Sequence, residues 1–256
     1  IINKIQSNSV INNMKGGTVT SMVDGKINNM TAGTVSSITG GEIASMSGGD
    51  VTVIDGGLIT SLSGGTVATM TSGDVTTLSG TGKITTMDNG AVGSMTAGTI
   101  TTMNDGIVSS FSGGTIGTLN QNATITNWNG GTVNNFNDAN YGTWTSGRIV
   151  NMNSGTIRNL INGTYITNFK GGTLESMIGG TIGTVTGGTI DSMTGGTITN
   201  FNTGGNLTFW DGGTITNWTG ASMSAWDGIN SGWKSGTISN INSGNIALMH
   251  DDTAIV

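Results

Sequence analysis

Residues 17–80 read GTVTSMVD, GKINNMTA, GTVSSITG, GEIASMSG, GDVTVIDG, GLITSLSG, GTVATMTS and GDVTTLSG. Cut in eights from Gly17, the stretch is one motif. Position 1 is Gly, position 3 is Val or Ile, position 5 is mainly Ser, Thr or Asn, and position 6 is large and apolar. The motif recurs as GTIGTVTG, GTIDSMTG and GTITNFNT over 180–203 and as GTISNINS over 236–243. About thirty such octads fill the chain without a linker, so 1–256 is read as a single continuous domain. Register is lost only in an irregular stretch near 221–235, the expected spot for a ligand or partner.

The octad carries its own strand pattern. Position 3 holds Val19, Ile27, Ile182, Ile190 and Ile198; position 6 holds Met22, Met30, Met193 and Phe201. These are the expected core ladders. The tryptophans, and the methionines apart from Met223, also fall at position 6. Positions 2 and 4 accept Lys26, Glu42, Asp50, Arg148, Arg158, Glu175 and Asp191 beside Thr, so they face water, because unpaired buried charge is very costly. Positions 2 to 5 are read as alternating out, in, out, in, the period of a strand. Position 5 is expected to point inward, small and hydrogen-bonded. Gly, Asn and Asp at positions 7, 8 and 1 supply turns. A helix is disfavoured, since a Gly in every octad costs ~1 kcal/mol each relative to Ala.

Strands this short must stack. Identical octads stack best on themselves, which predicts an all-β parallel β-solenoid with two or three octads per coil. Three is preferred, because Lys26, Asp50 and Asp74 then share one ladder. At ~4.8 Å per coil, two per coil gives a rod of roughly 75 Å and three roughly 50 Å. An antiparallel meander is the alternative, with position 6 on the face opposite position 3. Four blocks are one residue longer: Val75 to Ile84, Ile116 to Ile125, Ile157 to Ile166 and Ile198 to Leu207 are each nine apart. They recur every 41 residues. They are either the relic of a duplicated unit, the preferred reading, or a bulge that adjusts twist.

Gly-Gly-Thr-Ile-x-x-[Met/Phe] octads without Cys or Pro resemble the parallel β-solenoid repeats of bacterial surface adhesins, autotransporter passengers and phage tail-fibre shafts. The resemblance implies an extracellular or cell- or virion-surface location and an elongated, non-catalytic part. It carries over no binding residue.

Composition narrows function by exclusion. The chain has 46 Gly, no Pro, no Cys, 9% charged residues and a net charge of −6. Without Cys there is no disulfide scaffold or thiolate metal site. Eight Lys+Arg give no basic footprint for nucleic acid. No apolar run reaches the ~18 residues of a transmembrane helix. No signal peptide is recognisable, and neither end carries a cap, so the chain is expected to be processed, a fragment, or stacked end to end.

Each candidate site has a plain structural alternative. His250-Asp251-Asp252 is the one His/Asp run and is read as a solvated end, so no metal, cofactor or catalytic residue is assigned and no enzyme is expected. Asp24, Asp55, Asp88, Asp105, Asp138, Asp211 and Asp227 are read as turn residues rather than paired catalytic carboxylates. The Gly-Gly pairs are turns, not phosphate loops. The N-x-[ST] matches at Asn29, Asn122, Asn162, Asn206 and Asn217 are read as chance in an Asn- and Thr-rich chain. Trp128, Trp144, Trp210, Trp218, Trp226 and Trp233 are read as core rather than as an outward stacking platform for a surface glycan. The T-x-T pairs Thr18/Thr20, Thr99/Thr101, Thr124/Thr126, Thr197/Thr199 and Thr214/Thr216 are candidate ice-binding residues, because they resemble the flat Thr faces of solenoid antifreeze proteins. The expected role is a structural fibre, filament subunit or adhesin shaft that self-associates end to end or as a homo-oligomer. Ice binding and a carbohydrate-binding tail-fibre region are the alternatives.

Overall fold

A computed structural model describes residues 1–137, 139–223 and 232–246. The described residues form strands and turns with no helix. They fall into two compact units, Ile1–Thr132 and Val133–Val256. Each is a parallel β-solenoid.

Unit 1 begins with β1 (Ile2–Ile5), β2 (Val10–Met22), β3 (Lys26–Ile38) and β4 (Glu42–Leu78), followed by five-residue strands such as Lys83–Met87 and Thr124–Trp128. Pairing is parallel and in register by motif position. Ile11 lies on Ile27, Met14 on Met30, Ile27 on Ile43 and Met30 on Met46. Unit 2 repeats the arrangement. Ile166 lies on Ile182, Ile182 on Ile198 and Ile198 on Ile215. These parallel ladders exclude the meander.

Before the last described coil, each rung lies 16 or 17 residues after the one below it. A coil is therefore two octads, not the three preferred from the sequence. Lys26 stacks on Glu42, while Asp50 stacks on Thr34 and Asp74 on Ala91. The supposed Lys26–Asp50–Asp74 ladder is split between the two faces of the coil. Two octads suffice because each offers only two inward side chains. Facing octads close on a single layer of side chains, as packed sheets do.

Positions 3 and 6 form that layer. Val19, Met22, Ile27, Met30, Ile182, Ile190, Met193, Ile198 and Phe201 are all fully buried or within 1% of it. Each such burial stabilises by about 1.5–3 kcal/mol. Position 5 does not join them, which corrects the expected alternation. In strands such as Thr115–Leu119 only the second and fifth residues are buried. The chain bends between positions 4 and 6, so positions 4 and 5 both lie on the outer side, half-exposed.

The corners explain the glycines. Gly41 has φ of +80°, and a Cβ there would sit 2.6 Å from the Gly25 carbonyl oxygen and 3.0 Å from Met22 Cε. A side chain at this corner would be strained and would also strike the previous coil.

The nine-residue blocks are neither strand bulges nor featureless. Each replaces the corner with a four-residue turn closed by a backbone bond from the fourth N–H to the first carbonyl. Gly82 N–H donates to Ser79, Ala123 to Asn120, Thr164 to Ile161 and Gly205 to Asn202. Gln6–Ser9 forms the same turn. The fourth residue is buried and the middle two are exposed in the four long blocks. The extra residue is absorbed in the corner and the strand ladders keep register. The irregular stretch near 221–235 lies largely outside the described residues. Across it, Trp210 still stacks on Trp233 and Ile215 on Ile238, 23 residues on.

Candidate functional site

With the interior filled, whatever the chain recognises must meet its outer faces. Those faces are ladders, because the same motif position recurs on every coil.

The candidate ice-binding threonines all lie on these faces. Thr20, Thr124, Thr126 and Thr199 are exposed, while Thr18, Thr99, Thr101, Thr197, Thr214 and Thr216 are half-buried. The coil does not gather them into one surface. In unit 1, Thr99 sits in the row Thr66–Lys83–Thr99–Thr115. Thr124 stands in the row Asp74–Ala91–Ile107–Thr124 on the other face. In unit 2, one face carries Thr181, Thr197, Thr214 and Thr237 on successive rungs. Thr197/Thr199 and Thr214/Thr216 are thus direct neighbours. Below that run stand Arg148 and Tyr165, with the guanidinium 5.2 Å from the ring centre and Nε donating to Thr167 Oγ1 at 2.9 Å.

Beside the threonines run asparagine ladders that the sequence reading did not identify. Asn29 Nδ2 donates to Asn13 Oδ1 at 3.3 Å, Asn168 to Asn151 at 3.1 Å, Asn217 to Asn200 at 2.9 Å and Asn240 to Asn217 at 3.0 Å. At the corners Asn120 donates to Asn104 at 2.7 Å and Asn104 to Asp88 at 2.8 Å. The signal was available: Asn recurs at the same motif position one coil apart. The residues of three matches to the glycosylation pattern, Asn29, Asn206 and Asn217, lie in these strands, whereas Asn122 and Asn162 are exposed in the long turns.

Several of the described carboxylates tie coil to coil or hold a corner. Asp24 accepts from the Ser7 hydroxyl and the Gly25 N–H, both at 2.7 Å, and these bonds hold it below its ordinary pKa. Glu42 accepts from Lys26 Nζ at 3.0 Å and Thr60 Oγ1 at 2.9 Å, and is lowered by that Lys first and that Thr second. Asp211 is lowered by Lys234 and Ser235, each at 2.9 Å. Asp55 and Asp105 are likewise tied to their corners. Asp191 differs. Partial burial, and then Glu175 on the adjacent rung, raise its pKa. Glu175 is itself paired with Arg158 at 3.5 Å.

The tryptophans are core. Trp128, Trp144, Trp210, Trp218 and Trp233 are at most 1% exposed. No group of three or more His, Asp or Glu occurs among the described residues. Asp138, Asp227, Trp226 and the run His250-Asp251-Asp252 lie outside them. No described helix is long and apolar enough to cross a membrane.

Compared with known proteins, the chain matches no family model, no curated protein and no solved structure.

Proposed function

We propose that the chain is a non-catalytic structural element, part of an extracellular fibre, filament or adhesin shaft. One observation carries the reading. Buried Val/Ile and Met/Phe/Trp ladders run rung after rung through each unit, and the outer polar ladders bond coil to coil rather than converging on a cleft. Such a stack gains stability as a sum over neighbouring coils, which suits a load-bearing part. Electron microscopy of the purified protein tests it. Elongated particles or filaments are expected, and round particles overturn the reading. The resemblance to adhesin, autotransporter and tail-fibre solenoids supports the surface location. A glycan platform of outward tryptophans loses its basis, since the described ones are buried.

Ice binding is kept as a second reading because Thr181, Thr197, Thr214 and Thr237 form an unbroken row. Thermal hysteresis at high protein concentration, lost on Thr197→Lys and Thr214→Lys substitution, is the expected result. Its absence in the unaltered protein removes the reading.

A further inference from the structure

We infer that Asn122 is an acceptor for asparagine-linked glycosylation, its side-chain amide taking an oligosaccharide from a lipid-diphosphate donor. The inference rests on the surface location proposed above, since transferases that use such donors act on exported chains.

The motif Asn-x-Ser/Thr stands at Asn29, Asn122, Asn162, Asn206 and Asn217. Modification of a folded chain asks three things of it. The backbone around the asparagine must bend into an enzyme, so it cannot be a rung of a ladder. The amide nitrogen must be free to attack. The hydroxyl two residues on must be free to meet the enzyme. Acceptors of this kind accordingly belong in surface loops.

Four of the five fail. Asn29 and Asn217 are strand residues whose Nδ2 is already given away. Asn29 donates to the Asn12 carbonyl and to Asn13 Oδ1, both at 3.3 Å, and Asn217 donates to Asn200 Oδ1 at 2.9 Å. Asn206 is a half-buried rung paired with Thr189. Asn162 lies in a corner, but Thr164 is 3% exposed and its hydroxyl donates to the Ile161 carbonyl at 2.6 Å. Asn162 Oδ1 also accepts from the Gly180 N–H at 3.4 Å.

Asn122 meets all three conditions. Asn122 and Thr124 are exposed, and neither side chain makes a hydrogen bond among the described residues. The contrast with Asn162 is one of phase within the same kind of turn. The turns over 120–123 and 161–164 are closed alike, by Ala123 N–H on Asn120 and Thr164 N–H on Ile161, and each buries its fourth residue. Asn162 is second in its turn, so its threonine falls on the buried place. Asn122 is third, so Ala123 takes that place and Thr124 opens the next strand on the outer face. The strand holds Thr124 by its backbone, whose N–H donates to the Gly106 carbonyl at 2.9 Å, and leaves the hydroxyl outside. In the reaction Nδ2 forms a bond to C1 of the donor sugar and gives up one proton. The bond from C1 to the diphosphate oxygen breaks, and the lipid diphosphate leaves. The added bulk stands on the corner, clear of the ladders.

The test uses the full chain, made in a host without this pathway and kept folded. It is incubated with a single-subunit oligosaccharyltransferase and a lipid-diphosphate oligosaccharide, and the modified sites are read by mass spectrometry. The same reaction on a tryptic digest shows what each motif accepts once unfolded. The digest is expected to take glycan at Asn122 and at other motifs, the folded chain at Asn122 alone. Asn122→Gln and Thr124→Ala are each expected to abolish modification of the folded chain and to melt as the parent does. An unmodified Asn122 in the folded chain overturns the inference. So does a folded chain modified at Asn162 or at a strand asparagine as readily as at Asn122. Elongated particles in the micrographs would still leave the structural role standing, and round particles would remove that role without touching the acceptor.

Discussion

Trp210 Nε1 donates to the carbonyl oxygen of Gly212, two residues on, at 2.6 Å. Trp144 does the same to Ser146. At these two position-6 sites the indole reaches the carbonyl of its own corner, whereas Trp218 and Trp233 bury their Nε1 without a hydrogen-bond partner. Trp210 also stacks on Trp233, with ring centres 4.7 Å apart. Trp210→Phe keeps the stack but orphans the carbonyl, and is expected to cost about 1–3 kcal/mol. Trp210→Ala is expected to cost about 3–5 kcal/mol. Denaturant midpoints measure both, and a Phe variant as stable as the parent would contradict the capping role.

Two glycines separate backbone strain from collision. Gly17 and Gly41 both have φ of +80°, yet a Cβ at Gly17 meets nothing within 4 Å while one at Gly41 strikes the coil beneath. Gly17→Ala is expected to cost about 1–2 kcal/mol for the left-handed backbone alone. Gly41→Ala should cost clearly more. Equal losses of melting temperature would mean that the close stacking of corners is not what selects glycine there.

Inward and outward positions are told apart by charge. Ile182→Asp and Ile190→Asp place a carboxylate where the native side chain is fully buried. Each is expected to destabilise by more than about 4 kcal/mol. Thr189→Lys, one residue from Ile190 on the outer face, should stay within about 0.5 kcal/mol. Indistinguishable melting curves for the three would refute the assignment.

The asparagine ladder predicts a gradient. Asn217 both donates to Asn200 and accepts from Asn240. Asn217→Ala removes two rungs and Asn200→Ala one of the same bonds. At about 0.5–1.5 kcal/mol per bond, the first substitution should cost roughly twice the second. A larger loss at Asn200 would show that the ladder does not set the cost.

Acid should act oppositely on two carboxylates. Glu42 is lowered by Lys26 and Thr60, so its contribution is present above the ordinary carboxylate pKa and disappears as pH falls through the lowered value. Glu42→Gln is expected to destabilise at pH ~7 by less than about 1 kcal/mol, since the pair is partly exposed. Asp191 is raised, so the native state favours its protonated form and loses stability as pH climbs through the carboxylate range. Asp191→Asn should therefore stabilise slightly at pH ~7. Both differences should shrink as falling pH protonates the two carboxylates. Melting curves near neutrality and in acid decide the signs.

The strand-and-turn octad, the solenoid and the burial of positions 3 and 6 were legible because each leaves a one-residue signature that survives repetition. The number of octads per coil was not. Any multiple of eight brings like residues together, so the apolar ladders are blind to it. The informative residues were the few that differ from their neighbours: Lys26 opposite Glu42, Arg158 opposite Glu175, Asn13 beneath Asn29. Position 5 was misplaced because alternation was assumed to continue past residue 4, whereas the bend that returns position 6 to the core turns Ser45 or Thr118 outward. The threonine row of unit 2 was hidden for the same reason as the coil size, since Thr197 and Thr214 become neighbours only at a spacing of one coil.

The four-residue corner turns leave phase and length independent. A coil can be 16, 17 or 23 residues around, yet Ile still falls on Ile and Trp on Trp. New material entering at Asn122, Asn162 or Gly204 would be carried outside the ladders, as an aside in a sentence leaves its grammar intact. Such a chain can acquire appendages at its corners without renegotiating its interior.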